Sequence, residues 1–225
     1  RKDELIRNAI DLIPRIQNAT DSAAEANSIA SRLRFDTEKL MWELNYFKIH
    51  YFTTFKKEPL SPEVDDALNA EFMELSAELD STATVLCHRD FHAANLMIDS
   101  NKDLRIIDHQ DARIGSPTYD LVSLLLDRVT ETPSDEWLGE MKKYYFNQRE
   151  SVGLDPLDSG AFEHEFQLQT IQRCLKAAGT FSFQSAAREK AYFIPFIKPM
   201  FRISLQAMRR VARYPNLQEI LSQEL

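Results

Sequence analysis

CHRDFHAANLMIDSNKDLRIIDHQD, residues 87–111, crowds histidine, arginine, aspartate and asparagine in front of two short apolar runs. The runs are LMI (96–98) and LRII (104–107), and DSNKD (99–103) between them is polar and free of glycine. Two such runs joined by a five-residue polar turn read as an antiparallel hairpin. TATVLC (82–87), with its threonines and valine, reads as a further strand leading in. The turn closes one end of the hairpin, so Asn95 and Asp108 are expected side by side at the other end, on strands about 5 Å apart. An amide oxygen and a carboxylate at that separation can share one hard cation such as Mg²⁺, which leaves its other positions to waters and phosphate oxygens. Asp90, five residues before Asn95, can face the same spot without being a ligand. A carboxylate beside a metal-bound phosphate is placed to take a proton from an attacking hydroxyl.

Helices are expected on both sides of the hairpin. Ile6, Ile10, Ile13 and Gln17 recur at helical spacing, with Pro14 kinking or ending that helix. ATDSAAEANS (19–28) reads as a loop or a short weak helix. Asp36 is a good N-cap for a helix that places Leu40, Leu44, Phe47 and Tyr51 on one face. SPEV (61–64) opens a third, with Pro62 at its first position and Leu68, Phe72, Leu75 and Leu79 in its stripe. After Asp108 come TYDLVSLLLDR, a helix opened by Ser134, and one around FQLQTIQRCLKAAG for which Gly179 is the expected stop. A last helical region, FIPFIKPMFRISLQAMRRVA, is expected to be interrupted at Pro195 and Pro199. The expected class is α+β: a mostly helical body with a small β-hairpin in its middle.

A formal charge of −8 argues against a nucleic-acid surface, which needs clustered Lys and Arg. The longest apolar stretch, LVSLLL (121–126), is far short of the ~20 residues of a membrane span. Cys87 and Cys174 are too few for a disulfide scaffold and are not at metal-ligand spacing. No secretory signal opens the chain. These readings point to a cytoplasmic protein without nucleic-acid or membrane partners. Oligomeric state is left open.

HRDFHAAN resembles the HxDxxxxN catalytic loop of the protein-kinase-like phosphotransferases, and IID (106–108) resembles the segment carrying their metal-binding Asp. The histidine two residues after the Asp gives the HxDxHxxN form found in the aminoglycoside phosphotransferase and choline kinase-like family. Between Asp108 and Asp120 there is no room for a long activation loop, so peptide substrates are not expected. The combination of HRDxH, IDxQDA, GxxxYDLxSLL and LKAAGTF is similar in particular to bacterial anomeric kinases of N-acetylmuramate and N-acetylglucosamine, which serve cell-wall recycling. The resemblance runs from about residue 35 into the low 200s. It implies a catalytic loop at 87–95 with Asp90 as catalytic base, and a metal-binding segment at 106–111. Asn95 and Asp108 would hold Mg²⁺, and ATP would be the co-substrate. It also implies that His88 and Asp120 support the catalytic loop, Asp120 by bonding its backbone. His92 is expected to orient the loop or touch substrate, and Asp111 to serve a second metal, a sugar hydroxyl or only a solvated turn. His109 stands where the family has Phe or Trp and is expected to pack. Arg113 reads as a surface charge, and His50 and His164 as ordinary helical residues.

Enzymes of this kind cover the nucleotide phosphates with a glycine-rich loop and a strand lysine. The five glycines here are scattered, and no strand-rich segment precedes residue 82. The chain lacks an initiator Met. Residues 1–225 therefore read as the C-terminal lobe alone, a trimmed or excised piece without its nucleotide-binding lobe and with negligible turnover by itself. The expected function is ATP-dependent phosphorylation of a hydroxyl on a small amino sugar. The alternatives are an aminoglycoside, choline or other amino-alcohol acceptor, or a non-catalytic kinase-like binding module.

Overall fold

Pro14 does break the first helical stripe, but it does so ahead of itself. In this computed structural model, which describes residues 2–225, α1 (Lys2–Ile10) stops at Asp11, and α2 (Leu12–Asn18) carries Pro14 in its first turn. Proline has no N–H, and its ring collides with the carbonyl four residues back, here that of Ile10. The small polar stretch that follows is helical, as α3 (Thr20–Glu25). α4 (Ile29–Arg32) is capped by the Ser28 hydroxyl, which accepts the Ser31 N–H at 3.2 Å.

The chain folds into two compact units, one from the residues through Phe35 with Thr82–Leu125 and Pro133–Glu165, the other from Asp36–Ser81, Leu126–Thr132 and Phe166–Leu225. Among the described residues the first unit holds every strand: β1 (Val85–Cys87), β2 (Leu96–Ile98), β3 (Leu104–Ile106) and β4 (Arg113–Gly115). β2 and β3 form the expected hairpin, in the register Leu96↔Ile106 and Ile98↔Leu104. β1 pairs antiparallel with β4, Cys87 facing Arg113, so 87–111 is a loop-and-hairpin excursion whose two ends are tied together. Arg34 adds a parallel bridge to Ile114. Behind this pair Phe35 stacks on Tyr119 with ring centroids 4.1 Å apart, and both rings are buried. α7 (Tyr119–Leu126) follows, then α8 (Asp135–Ser151), whose N-cap Ser134 accepts the Trp137 N–H at 3.2 Å. A buried polar knot fixes the turn before α7: Gln17 donates to the Pro117 carbonyl at 2.9 Å, and Tyr145 and Arg149 both reach the Gln17 amide oxygen at 2.7 Å.

In the second unit Asp36 caps α5 (Thr37–Lys48) as expected, its carboxylate accepting the Lys39 N–H at 2.8 Å. The helix continues as a π-helical stretch, Ile49–Lys56, and ends on Lys57 in the left-handed region. α6 (Pro62–Ser81) begins on the expected proline. Gly179 is not a stop: α9 (Ser159–Ala187), which begins in the first unit, runs straight through it. A Cβ at Gly179 would lie 2.5 Å from the Phe47 Cα, so the glycine is there for close approach of two helix backbones. The expected interruptions in α10 (Ile194–Val211) are also absent. Pro195 lies in the first turn, where its missing N–H has no helical partner anyway, and Pro199 removes only the bond to the Pro195 carbonyl. α11 (Pro215–Gln223) closes the unit, its first N–H groups accepted by Glu71 at 2.8–2.9 Å. The core here is Leu40, Leu44, Phe47, Phe72, Phe181 and Phe201, all buried.

Candidate active site

The loop from Cys87 to Asn95 is short and rigidly tied. The Asp90 carbonyl accepts both the His92 N–H at 3.0 Å and the Asn95 side-chain amide at 2.9 Å. The Asn95 N–H in turn donates to the His92 carbonyl at 2.9 Å, closing a 3₁₀ turn over Ala93–Asn95. The Asn95 side-chain nitrogen is thereby committed to Asp90, and the residue is half-buried. His92 is buried and starts the turn, whereas the Asp90 carboxylate stays partly open to solvent.

Beneath the loop lies Asp120, fully buried in the first turn of α7. One carboxylate oxygen accepts the His88 N–H at 2.7 Å and the other the Arg89 N–H at 3.0 Å. A buried carboxylate is tolerable only with such charge-assisted partners. Arg89 takes φ = 83°, a region costly for a non-glycine residue, and the paired bonds to Asp120 hold it there. The His88 ring lies edge-on to the buried Phe91, and its Nε2 sits 3.0 Å from the Ile107 carbonyl. A carbonyl can only accept, so Nε2 carries the proton. Burial pushes the His88 pKa down, which favours that neutral tautomer and leaves Nδ1 buried without a hydrogen-bond partner.

The hairpin delivers the second half. Ile107 donates to the Asn95 carbonyl at 3.1 Å, which extends the ladder by one residue. Asn95 therefore faces Ile107, and Asp108 lies one position past it rather than directly opposite. Asp108 has φ = 69°, so the left-handed turn ends the strand alternation there. Its carboxylate accepts a hydrogen bond from the Gln110 side chain. The segment from Ile107 to Asp111 is exposed, His109 included, which overturns the packing role expected for that histidine: the turn at Asp108 carries it outward.

Two arginines tie the segment down, and neither role was legible from spacing. The Arg89 guanidinium meets the Asp111 carboxylate at 2.5 Å and lies 4.0 Å from that of Asp90. Arg113 is buried, not a surface charge: it lies over the Phe35 ring at 5.1 Å and donates to the Asp111 carbonyl at 3.2 Å. Its alternation on β4 explains this, since β4 pairs with β1 and turns Arg113 inward opposite Cys87. Among the described residues no three His, Cys, Asp or Glu are grouped to hold a metal, so Asp90, Asp108 and Asp111 do not form a carboxylate trio. No described helix is long and apolar enough to cross a membrane.

Residues 1–157 match the Phosphotransferase enzyme family (APH), and the chain belongs to that family. The match begins well before residue 35, so the helices ahead of Asp36 are part of the family pattern. The chain is similar to proteins named N-acetylmuramate/N-acetylglucosamine kinase. That of Neisseria meningitidis serogroup B is 30% identical over 187 residues, covering 80% of this chain and 52% of the relative. That of Pseudomonas putida is 33% identical over 125 residues, 52% of this chain and 35% of the relative. That of Caulobacter vibrioides is 40% identical over 67 residues, 28% of this chain and 18% of the relative. The chain thus spans about half the length of the first of these relatives, and its matches cover less of the others.

Proposed function

We propose that the chain carries the catalytic loop and metal ligands of an ATP-dependent small-molecule kinase whose acceptor is a hydroxyl of an amino sugar of the N-acetylmuramate or N-acetylglucosamine kind. The observation that carries this reading is one connected set of bonds. The Asn95 amide is bonded to the Asp90 carbonyl, and the Asn95 carbonyl to the Ile107 N–H. The loop thereby holds a candidate base and one oxygen donor, and the Asn95–Ile107 bond fastens to it the segment that carries the second, Asp108. The acceptor class rests on the names of the relatives.

Asn95 and Asp108 offer two hard oxygen donors, which suits Mg²⁺, since that ion keeps waters and substrate phosphates in its remaining positions. When bound, Mg²⁺ would neutralise charge on the β- and γ-phosphates. Asp90 orients the acceptor hydroxyl and takes its proton as the oxygen forms its bond to the γ-phosphorus; the bond from that phosphorus to the β–γ bridging oxygen breaks, and ADP leaves. Most of the rate comes from positioning and charge neutralisation. The phosphate-covering loop and its lysine are proposed to lie outside these 225 residues. In support, no strand precedes β1 among the described residues, and the hairpin leaves Met97 and Ile107 on one face and Ile98 on the other 43–53% exposed, apolar side chains that a cover would bury.

The test is ATP consumption with N-acetylmuramate, N-acetylglucosamine, an aminoglycoside and choline. It compares this chain alone with the whole product of its reading frame. Turnover of the amino sugars by the whole product, and negligible turnover by the chain, is expected. Preference for another acceptor changes the substrate class, no turnover with any acceptor supports a binding module, and robust turnover by the chain alone removes the division of labour.

A further inference from the structure

The exposed segment that carries Asp108 is fastened by a relay that starts in the core. Asp120, fully buried, grips the backbone of Arg89 through the Arg89 N–H at 3.0 Å. The side chain of the same arginine grips Asp111 at 2.5 Å, three residues beyond Asp108. The Asp111 backbone is held as well, by Arg113 at 3.2 Å. Ile107 at the near end of the segment is held by His88, whose Nε2 donates to its carbonyl at 3.0 Å, and by the Asn95 carbonyl; beyond it the other ties are local, Gln110 to Asp108 and the Ala112 N–H to the His109 carbonyl at 3.1 Å. Asp108 must keep φ = 69° on this exposed stretch, and Arg89 must keep φ = 83° beneath it. Such conformations persist only where the surroundings over-determine them.

We propose that the Arg89–Asp111 ion pair is the latch that fixes the metal-binding segment against the catalytic loop, so that Asp111 is a positioning residue and not a second metal ligand. In this arrangement the charge of Asp111 is spent on a guanidinium. A metal at Asp111 would have to displace Arg89. The proposal rests on the reading of Asn95 and Asp108 as metal ligands, and its test separates the two.

The experiment uses this chain, with Mn²⁺ alone as the paramagnetic probe read by water-proton relaxation. The variants are Asp108→Asn, Arg89→Met, Asp111→Asn and the last two combined. If Asp111 were a ligand, or if net charge alone mattered, Arg89→Met would tighten Mn²⁺ and Asp111→Asn would weaken it in either background. The latch requires each single variant to weaken Mn²⁺ by about tenfold, as loss of an outer-shell partner does, and the double to be no worse than either. Tighter binding by Arg89→Met, or a further loss on adding Asp111→Asn to it, overturns the proposal. Amide hydrogen exchange at Ile107 and Ala112 reports the latch without metal; it should quicken in both single variants to the same extent, and unchanged exchange overturns the proposal. Mn²⁺ binding that ignores Asp108→Asn overturns the site reading instead, and the latch is then decided by exchange.

Discussion

The two oxygens of the buried Asp120 carboxylate accept the N–H groups of two consecutive residues, His88 at 2.7 Å and Arg89 at 3.0 Å. Asp120→Asn keeps the shape but turns an amide NH₂ toward one of those donors. The expected result is a loss of about 2–4 kcal/mol in urea unfolding, the cost of leaving a buried donor unsatisfied and a charge-assisted bond broken. Asp120→Ala should cost at least as much. A change below about 0.5 kcal/mol would show that the loop does not depend on this carboxylate.

Gly179→Ala sets two effects against each other. Alanine gains up to about 1 kcal/mol in helix propensity over glycine. The new Cβ would stand 2.5 Å from the Phe47 Cα, a backbone atom that cannot swing aside. Overpacking of this kind costs about 1–3 kcal/mol or more, so net destabilisation is expected. A raised midpoint in urea would mean that the two helices separate at little cost.

That glycine also shows where sequence reading stops. A glycine after an apolar helical run has the same local signature as a helix stop, and only the approach of Phe47, 132 positions away in the chain by their numbers, distinguishes the two. Local chemistry was legible. The Asp36 and Ser134 caps and the Leu96–Ile106 hairpin each depend on residues within a few positions, and each stands where spacing puts it. β4 was not legible, because three residues between a turn and Ser116–Pro117 carry no periodicity, and it becomes a strand only by pairing with β1. The inward turn of Arg113 follows from that pairing, so it was missed with it. The order of Asp90, Asn95 and Asp108 is what suggested a site, whereas the Arg89–Asp111 contact and the one-residue offset of Asp108 depend on backbone turns at φ = 83° and 69° that no propensity announces.

The pH dependence follows from His88. Burial lowers its pKa below the ordinary value of about 6.5. Above that value the ring is neutral in both the folded and the unfolded chain, and the full stability is present. As pH falls below about 6.5 the unfolded chain takes up a proton that the folded ring resists, so stability declines until the pH passes the folded pKa. His50, also shifted down by burial, contributes in the same direction. Urea midpoints between pH 7.5 and 5 should therefore decrease, and His88→Gln should remove part of the slope. An unaltered slope in His88→Gln would assign the dependence to other groups.

The sharpest separation of chemistry from structure is expected at Asp90. Its backbone carbonyl anchors the loop through His92 and Asn95, and that anchor does not involve the carboxylate. The carboxylate is partly exposed and lies 4.0 Å from the Arg89 guanidinium, a distance at which an ion pair open to solvent contributes little stability. Asp90→Asn should therefore leave the unfolding midpoint within about 0.5 kcal/mol of the parent. As the proposed base for the acceptor proton, the same carboxylate should account for about 10²–10⁴ in turnover. Steady-state kinetics on the whole product of the reading frame checks this: kcat should drop by that factor while the acceptor KM changes little, because the hydroxyl is still bound but its proton has nowhere to go. Near-parental kcat in a folded Asp90→Asn variant would remove Asp90 from the chemistry, whereas lost kcat with a lowered midpoint would make it a structural residue.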